Sequence, residues 1–405
     1  MNRLPFLDGE QLMDDLFALG QIGRNEEGGI DRIAYGQTDL EGREWAEQCM
    51  VKAGLTVRRD SAGNTIGRYE GTENLPAILI GSHTDTVPSG GIYDGALGVL
   101  AGIACIRALH NSGQRLRHPV EIINFMAEEA TMPGGTLGSL ALVKTPDAAL
   151  FEHPAWDGQP AREHISRAGI DLSRLHEALR KPESVAAFIE LHVEQGETLE
   201  LSQTSIGVVQ GIVGIRRYAV SFFGHANHAG TTQMARRQDA LVAAAPFILH
   251  VRDVAVEHDI VGTIGKVDVL PGASNVIPGR VDLSLEIRGL DEQVLDQAES
   301  ALGLYAKSAG ATFERISAKN AVQSDPKLLT ALIEACQELE ISYMEMPSGA
   351  GHDAMNMESL CPMAMLFVPS RDGISHAPGE YTAPEECIRG AQVLLAGLVR
   401  IDEMI

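Results

Sequence analysis

Four apolar segments of this sequence each run into residues that bind metal ions or move protons. AILI (Ala77–Ile80) leads into GSHTDTV, which carries His83 and Asp85 one residue apart, and the glycine-rich GGIYDGALG that follows holds Asp94. IINFMA closes on the adjacent pair Glu128 and Glu129, FIEL opens ELHVEQG with His192, and MLFVPS precedes GISHAPGE with His376. Singly, each has an ordinary explanation: a loop histidine, a helix N-cap for Asp94, two solvated charges for the acid pair. Jointly they set imidazoles and carboxylates, and no cysteine, at the C-terminal side of four strands, where open α/β sheets collect ligands. Nitrogen and oxygen donors of this kind suit zinc, manganese, cobalt or nickel. A carboxylate bridging two ions would make a two-metal hydrolytic site. A neighbouring carboxylate left uncoordinated would serve as general base toward the attacking water.

These residues need elements to position them. Ala77–Gly81, Val120–Phe125 and Ala187–Leu191 read as buried strands, and Glu41–Ala53 and Gly98–His110 as helices. Thr56–Arg59 and Thr65–Tyr69 flank Ala62-Gly63-Asn64 and read as a hairpin. Alternation of strand and helix predicts an α/β sheet covered on both faces. The pattern changes after Gly207. Strand Tyr218–Phe223, helix Ala240–Val251, strands Thr263–Val269 and Val281–Ile287, helix Glu292–Ala306 and strand Ala311–Ile316 follow in turn. That order, β-α-β-β-α-β, is a split-βαβ pattern and can fold as an inserted domain. Helix Leu328–Leu339 and strand Ala364–Val368 resume the first style. The expected organisation is a catalytic domain of residues 1–208 and 325–405, interrupted by a smaller domain of residues 209–324.

The 405 residues suffice for two or three domains at about 150 residues each. With 32 basic and 55 acidic residues the net charge is −23, which repels phosphate backbones and anionic membrane surfaces. No uncharged apolar run approaches the roughly 18 residues that span a bilayer, and MNRLPFLDGEQLMDD lacks the apolar core of a signal peptide. Five cysteines without CxxC spacing point to reduced thiols. The expectation is a cytoplasmic protein with neither nucleic acid nor membrane as partner.

The segments GSHTDTVPSGGIYDGALGVLAG, MAEEA, ELHVEQGETLE, HANHAGTTQM, ASNVIPGRVDLSLEIR, PSGAGHDA and DGISHAPGEYT stand in order from Gly81 to Thr382. Together they resemble the dinuclear-zinc amidohydrolases that include N-carbamoyl-L-amino acid hydrolase, allantoate amidohydrolase and bacterial β-ureidopropionase. These are relatives of the co-catalytic metallo-aminopeptidases and aminoacylases. The resemblance implies a three-layer α/β/α catalytic domain of zinc-aminopeptidase type, with an inserted ferredoxin-like domain for dimerisation and closure. It implies two divalent ions per subunit, zinc by family expectation, with manganese, cobalt or nickel also compatible. His83, Asp94 and His192 would hold one ion and Asp94, Glu129 and His376 the other, Asp94 bridging. Glu128 would be the general base and later protonate the leaving nitrogen. Asp85 would orient His83 through its other ring nitrogen. His228, in HANHAG, would come from the partner subunit of a homodimer and stabilise the oxyanion. Asn275 and Arg288 would grip a substrate carboxylate, and Gln195 with the Ser348–His352 loop, including Gly351 and His352, would line the pocket.

The chain also departs from that pattern. Carbamoylases of the family continue Gly-x-Arg-Phe after the acid pair, whereas this chain reads ATMPGGTLGS from Ala130. Metal binding should survive that change. Substrate choice is what the Ala130–Gly135 loop would alter. Arg216-Arg217-Tyr218 resembles the allantoate enzymes, and the sequence leaves two readings open: a basic group for a second polar end of the substrate, or an ordinary strand pair. The implied reaction is hydrolysis of a linear amide, an N-carbamoyl-L-amino acid giving the amino acid, CO₂ and ammonia. Allantoate hydrolysis and N-acyl amino acid hydrolysis are the alternatives. A metal-free binding or scaffold homologue is the reading from a different class, and the intact donor set argues against it.

Overall fold

Helix α1 (Gly9–Leu19) opens the computed structural model, which describes residues 4–405. It is followed by α2 (Gln37–Lys52), β1 (Thr56–Arg59), β2 (Thr65–Tyr69), β3 (Ala77–His83), α3 (Ala96–Ser112), β4 (Val120–Phe125), α4 (Leu137–Val143), α5 (Ala161–Arg167), β5 (Val185–Val193), α6 (Thr198–Leu201) and β6 (Ile206–Ile212). Next come β7 (Gly214–Phe223), α7 (Ala240–Glu257), β8 (Val261–Leu270), β9 (Arg280–Gly289), α8 (Glu292–Ser308), β10 (Thr312–Lys319) and the two-residue β11 (Val322–Gln323). The chain ends with α9 (Pro326–Glu338), β12 (Tyr343–Ser348), α10 (Ala354–Met357), β13 (Met363–Val368) and α11 (Pro384–Met404). It divides into two compact units, one running to Gly211 and resuming from Ser324 to Ile405, the other Ile212–Gln323.

In the first unit, every residue of β3 (AILIGSH), β4 (VEIINF) and β13 (MAMLFV) is buried. Continuous apolar runs of this kind mark strands covered on both faces. β3 pairs in parallel with β4 and β5, and β5 in parallel with β13. The order across the sheet is β1-β2-β4-β3-β5-β13-β6, with β2 antiparallel to β4 and β6 antiparallel to β13. The sheet is therefore mixed, its parallel heart flanked by antiparallel strands. The four central strands share one direction, so their C-terminal ends lie along one edge of the sheet. Helix α3 packs on β3, β4 and β5, and α11 packs on α3. From Ala96 to Ile106 α3 is buried on all sides. Each fully buried Leu, Ile or Val there contributes roughly 1.5–3 kcal/mol over its exposed state.

Helix α3 begins two residues before the expected Gly98 and runs to Ser112, where Gly113 at φ 70 provides a left-handed stop. Its early start matters, because Asp94 is then held one residue before the N-cap Gly95.

The second unit is a four-stranded antiparallel sheet in the order β10-β7-β9-β8. With α7 and α8 in the crossovers this is the ferredoxin-like arrangement. Its core joins Tyr218, Val220 and Phe222 of β7 to Leu283, Leu285 and Ile287 of β9 and to Phe247 and Leu302 of the helices. No helix among the described residues is long and apolar enough to cross a membrane.

Candidate metal centre

At the C-terminal edge of the parallel strands, two groups of donors overlap at Asp94. His83 Nε2 lies 3.6 Å and His192 Nε2 3.1 Å from Asp94 Oδ1. The other oxygen, Asp94 Oδ2, lies 3.3 Å from His376 Nε2, which is 3.6 Å from Glu129 Oε1. Within each group the donor atoms lie within 4.8 Å of one another. Nitrogen and oxygen ligands at about 2.0–2.2 Å from an ion sit roughly 3–3.5 Å from each other, so these spacings fit a divalent ion in each group. Charge points the same way. Asp94 and Glu129 are buried and Glu128 beside them is largely covered, an arrangement that favours a cation among them.

Local structure presets the histidine tautomers. His83 Nδ1 lies 3.0 Å from the main-chain carbonyl of Asp85, and His192 Nδ1 2.9 Å from that of Val193. A carbonyl only accepts, so both Nδ1 atoms carry a proton, and once the ring is neutral, as a metal ligand must be, each Nε2 faces Asp94 with its lone pair free. Gly95, at φ 64, allows the approach: a Cβ there would lie 2.3 Å from His83 Nε2.

Asp85 reaches the other ring nitrogen of His83 through its main-chain carbonyl and not its carboxylate. Its Oδ1 is 3.7 Å from His83 Nδ1, too far for a hydrogen bond. The carboxylate is drawn instead to the turn after β4, where it accepts from Glu129 N at 3.1 Å and Glu128 N at 3.4 Å. Thus Asp85 holds His83 through its main chain and the acid pair through its side chain. Arg43, on α2, is the residue the sequence reading missed. Its buried guanidinium donates to Asp39 (2.8 Å), to Asp85 (3.4 Å) and to the carbonyls of Asn124 (3.1 Å) and Phe125 (2.7 Å). The only sequence signal was an Asp–Arg pair four residues apart, which is commonplace on exposed helices.

The Ala130–Gly135 loop is tied at its base. Thr136 N donates to the Glu128 carbonyl (2.7 Å), Leu137 N to Ala127 (3.0 Å) and Gly138 N to Met126 (2.8 Å). Ala127, at φ 54, turns the chain so that the acid pair follows directly.

Electrostatics separate the carboxyls. Burial opposes ionisation of Asp94, yet the charged His192 ring and the hydrogen bonds of the three histidines hold it well below the usual range. Burial, then the nearby Asp353, Glu129 and Asp85, push Glu128 well above it, against the pull of His83. Burial and then the Asp94 charge raise Glu129 to about 7. The hydrogen bond to Asp94, then the Glu129 charge, raises His376 to about 9. A metal ligand must be a neutral imidazole, so below that pH an ion has to displace the His376 proton. Apparent metal affinity is therefore expected to rise with pH from 6 toward about 9. Chelator competition at fixed ionic strength measures it, and a flat profile would count against His376 as a ligand.

Gln195 and His352 also reach this edge. Gln195, at φ 58, donates its amide to Asp94 Oδ2 at 2.7 Å, and its Oε1 is buried without a hydrogen-bond partner. The His352 ring lies 4.5 Å from that of His192, with Nε2 2.9 Å from Ser348 Oγ. Burial, and then the His192 charge, keep His352 neutral, well below its usual range. Gly351 is exposed beside it.

The second unit has its own cluster. His228 and Val276 form a bridge, and Ala229 N donates to the Asn275 carbonyl at 2.9 Å, which sets His228 beside Asn275. His228 is exposed, and its Nδ1 accepts from Gly230 N (3.0 Å) and Thr231 N (3.2 Å). The ring proton therefore sits on Nε2. Arg288 lies on β9 opposite Ile215 and Val261, and its Nε donates to Glu286 at 2.7 Å. The open question about Arg216 and Arg217 is answered by their partners. Arg216 is buried against Glu292, Asp296 and Glu299 of α8, each at 2.8 Å, and Arg217 pairs with Glu286 at 2.6 Å. Arg216 fastens the helix to the sheet.

Residues 79–400 match the peptidase family M20/M25/M40, and the chain belongs to that family. Over 397 residues it is 37% identical to the N-carbamoyl-L-amino acid amidohydrolase of Geobacillus stearothermophilus, covering 96% of this chain and 97% of that protein. It is 35% identical over 397 residues to the allantoate amidohydrolase of Bacillus subtilis (strain 168), covering 93% of each. Its structure is similar to an amidase of the hydantoinase/carbamoylase family from Burkholderia phymatum, with a TM-score of 0.90, 33% identity and 100% of both chains covered.

Proposed function

We propose that this enzyme hydrolyses a linear amide, the carbamoyl group of an N-carbamoyl-L-amino acid, to the L-amino acid, CO₂ and ammonia. The observation that carries the reading is the pair of donor groups sharing Asp94, with Glu128 beside them and outside both. His83, Asp94 and His192 would hold one divalent ion, and Asp94, Glu129 and His376 the other. Zinc suits these donors first, and manganese, cobalt or nickel also. When bound, such ions polarise a carbonyl and make water a nucleophile at neutral pH.

The protein's own groups supply the rest. Glu128 takes a proton from the attacking water and returns it to the nitrogen as the C–N bond breaks. A buried carboxyl with raised proton affinity suits both halves of that transfer. His228 donates from Nε2 to the oxyanion. Asn275 and Arg288 grip the substrate carboxylate, while Gln195, Gly351 and His352 line the pocket. The five buried free thiols suit a reducing cytoplasm.

A homodimer through the second unit completes the reading, with His228 acting on the partner's site. Strand β8 is an open edge, and α7 exposes Val242, Leu249 and Val256. Open edges and apolar faces are ordinarily covered. His228→Ala should keep its metals and lose roughly 10²–10³ in rate, as for one oxyanion donor. Mixing inactive His228→Ala and Glu128→Gln chains should restore activity. Random pairing makes half the dimers hybrids, each with one intact site, so recovery should approach about a quarter of wild type. No recovery after demonstrated subunit exchange would rule out action in trans.

Hydrolysis of allantoate is the second reading, favoured by the similarity to the Bacillus subtilis enzyme and by the altered loop at Ala130. Ammonia release from N-carbamoyl-L-amino acids and allantoate, set beside acetate release from N-acetyl-L-amino acids at equal concentration, tests both. The highest kcat/KM on a carbamoyl substrate supports the first reading, and on allantoate the second. Turnover confined to the release of acetate from acetyl substrates overturns both.

A further inference from the structure

We infer that Glu380 is a positioning residue that fastens His376 to Asp94, so that one half of the metal centre depends on it and the other does not. The inference rests on the two-ion reading above. Glu380 lies four residues beyond His376 in the loop between β13 and α11, and it is 6% exposed. Its Oε1 accepts from Tyr93 N at 2.9 Å and from Asp94 N at 3.0 Å. Its Oε2 lies 2.9 Å from Ser375 Oγ, which is also 2.9 Å from Asp94 Oδ2. One carboxylate thus grips the main chain that presents Asp94 and the residue next to His376. Hydrogen bonds to a buried charged acceptor are among the stronger ones.

The Asp94 segment is shaped to receive this side chain. A Cβ on Gly91 would lie 2.1 Å from Glu380 Oε1 and 2.2 Å from its Cδ. Only glycine admits the carboxylate there, so the second glycine of GGIYDG is explained by a residue far away in sequence.

The two halves of the centre differ in what else secures them. His83 ends β3 and His192 lies within β5, each with Nδ1 bound to a main-chain carbonyl. His376 has neither support. It sits in a loop at φ 55, a conformation that persists only where its surroundings impose it, and its side chain is 49% exposed. Release of Glu380 should free His376, while His83 and His192 keep their main-chain partners and the Asp94 segment stays tied to α3 by Leu97 N, which donates to the Tyr93 carbonyl at 3.0 Å.

The test is titration of metal-free protein with Zn²⁺ against a competing chelator, resolving the two binding constants. Wild type should bind two ions. Glu380→Ala should keep one near wild-type affinity and bind the other about 10–100-fold more weakly, the usual cost of losing an outer partner of a ligand. Glu380→Gln keeps an oxygen for Tyr93 N and Asp94 N and gains an amide that donates to Ser375 Oγ, so it should recover most of the loss. If Glu380→Ala proves too unstable to purify, Ser375→Ala cuts the same link from the other side and should weaken the same ion. Equal weakening of both ions, or two unchanged ions in Glu380→Ala, overturns the inference while leaving the two-ion reading intact. A wild-type chain that takes up no Zn²⁺ overturns both.

Discussion

Replacing Glu128 by glutamine should leave both ions bound and lower kcat by about 10²–10⁴, the range for loss of a general base. The geometry separates Glu128 from its neighbour. Glu129 belongs with Asp94 and His376, whereas Glu128 belongs to neither donor group and points Oε2 to within 3.6 Å of His83 Nε2. Asp85 holds the backbone of both acids, so glutamine at residue 128 need not disturb the turn. Burial makes the Glu128 carboxyl a stronger proton acceptor than an exposed acid. An amide of the same shape accepts no proton at neutral pH. Metal analysis and steady-state kinetics on the same preparation decide the point. Wild-type turnover by a metal-replete Glu128→Gln chain would reject the role.

Asp94→Ala should lose both ions. Its Oδ1 lies 3.1 Å from His192 Nε2 and its Oδ2 3.3 Å from His376 Nε2, so one side chain serves two donor groups. Among the described residues no other carboxylate spans them, since Glu129 groups with His376 and not with His83 and His192. Gln195 and Ser375, which both bond to Oδ2, would lose a partner as well. Metal content after dialysis against chelator-treated buffer measures the loss. Two tightly held ions per Asp94→Ala chain would contradict the bridging role.

The outline of the centre was legible because apolar runs such as MLFVPS and IINFMA end abruptly in polar residues. A strand buried on both faces cannot hide such a change. The sheet's mixed character was harder to read. β6 (IGVVQGI) carries two glycines and a glutamine and gives neither a clean alternation nor a continuous apolar run. Helix α3 was read as starting at Gly98. Its true start depends on Gly95, whose positive φ answers to the His83 ring rather than to any local propensity.

Residues that act through the main chain were the least visible. Asp85 is the example: sequence names a side chain and is silent on carbonyls, and here it is the carbonyl that accepts from His83 Nδ1. Arg43 reaches the centre from a helix remote in sequence, so no local pattern joins it, whereas Glu380 stands in the His376 motif but grips Tyr93 N and Asp94 N, which that motif does not reveal. The Arg216-Arg217 pair shows the converse. Two bases in a site-like motif proved to be tied to Glu292, Asp296, Glu299 and Glu286 of their own unit.

The most direct test of the proposed chemistry is to titrate metal-free protein with Zn²⁺ while following ammonia release from an N-carbamoyl-L-amino acid. Turnover should be absent at the start, rise with added metal, and level off once both donor groups are filled, at two ions per chain. Full turnover by the metal-free chain, or no turnover with both ions bound, would contradict the account.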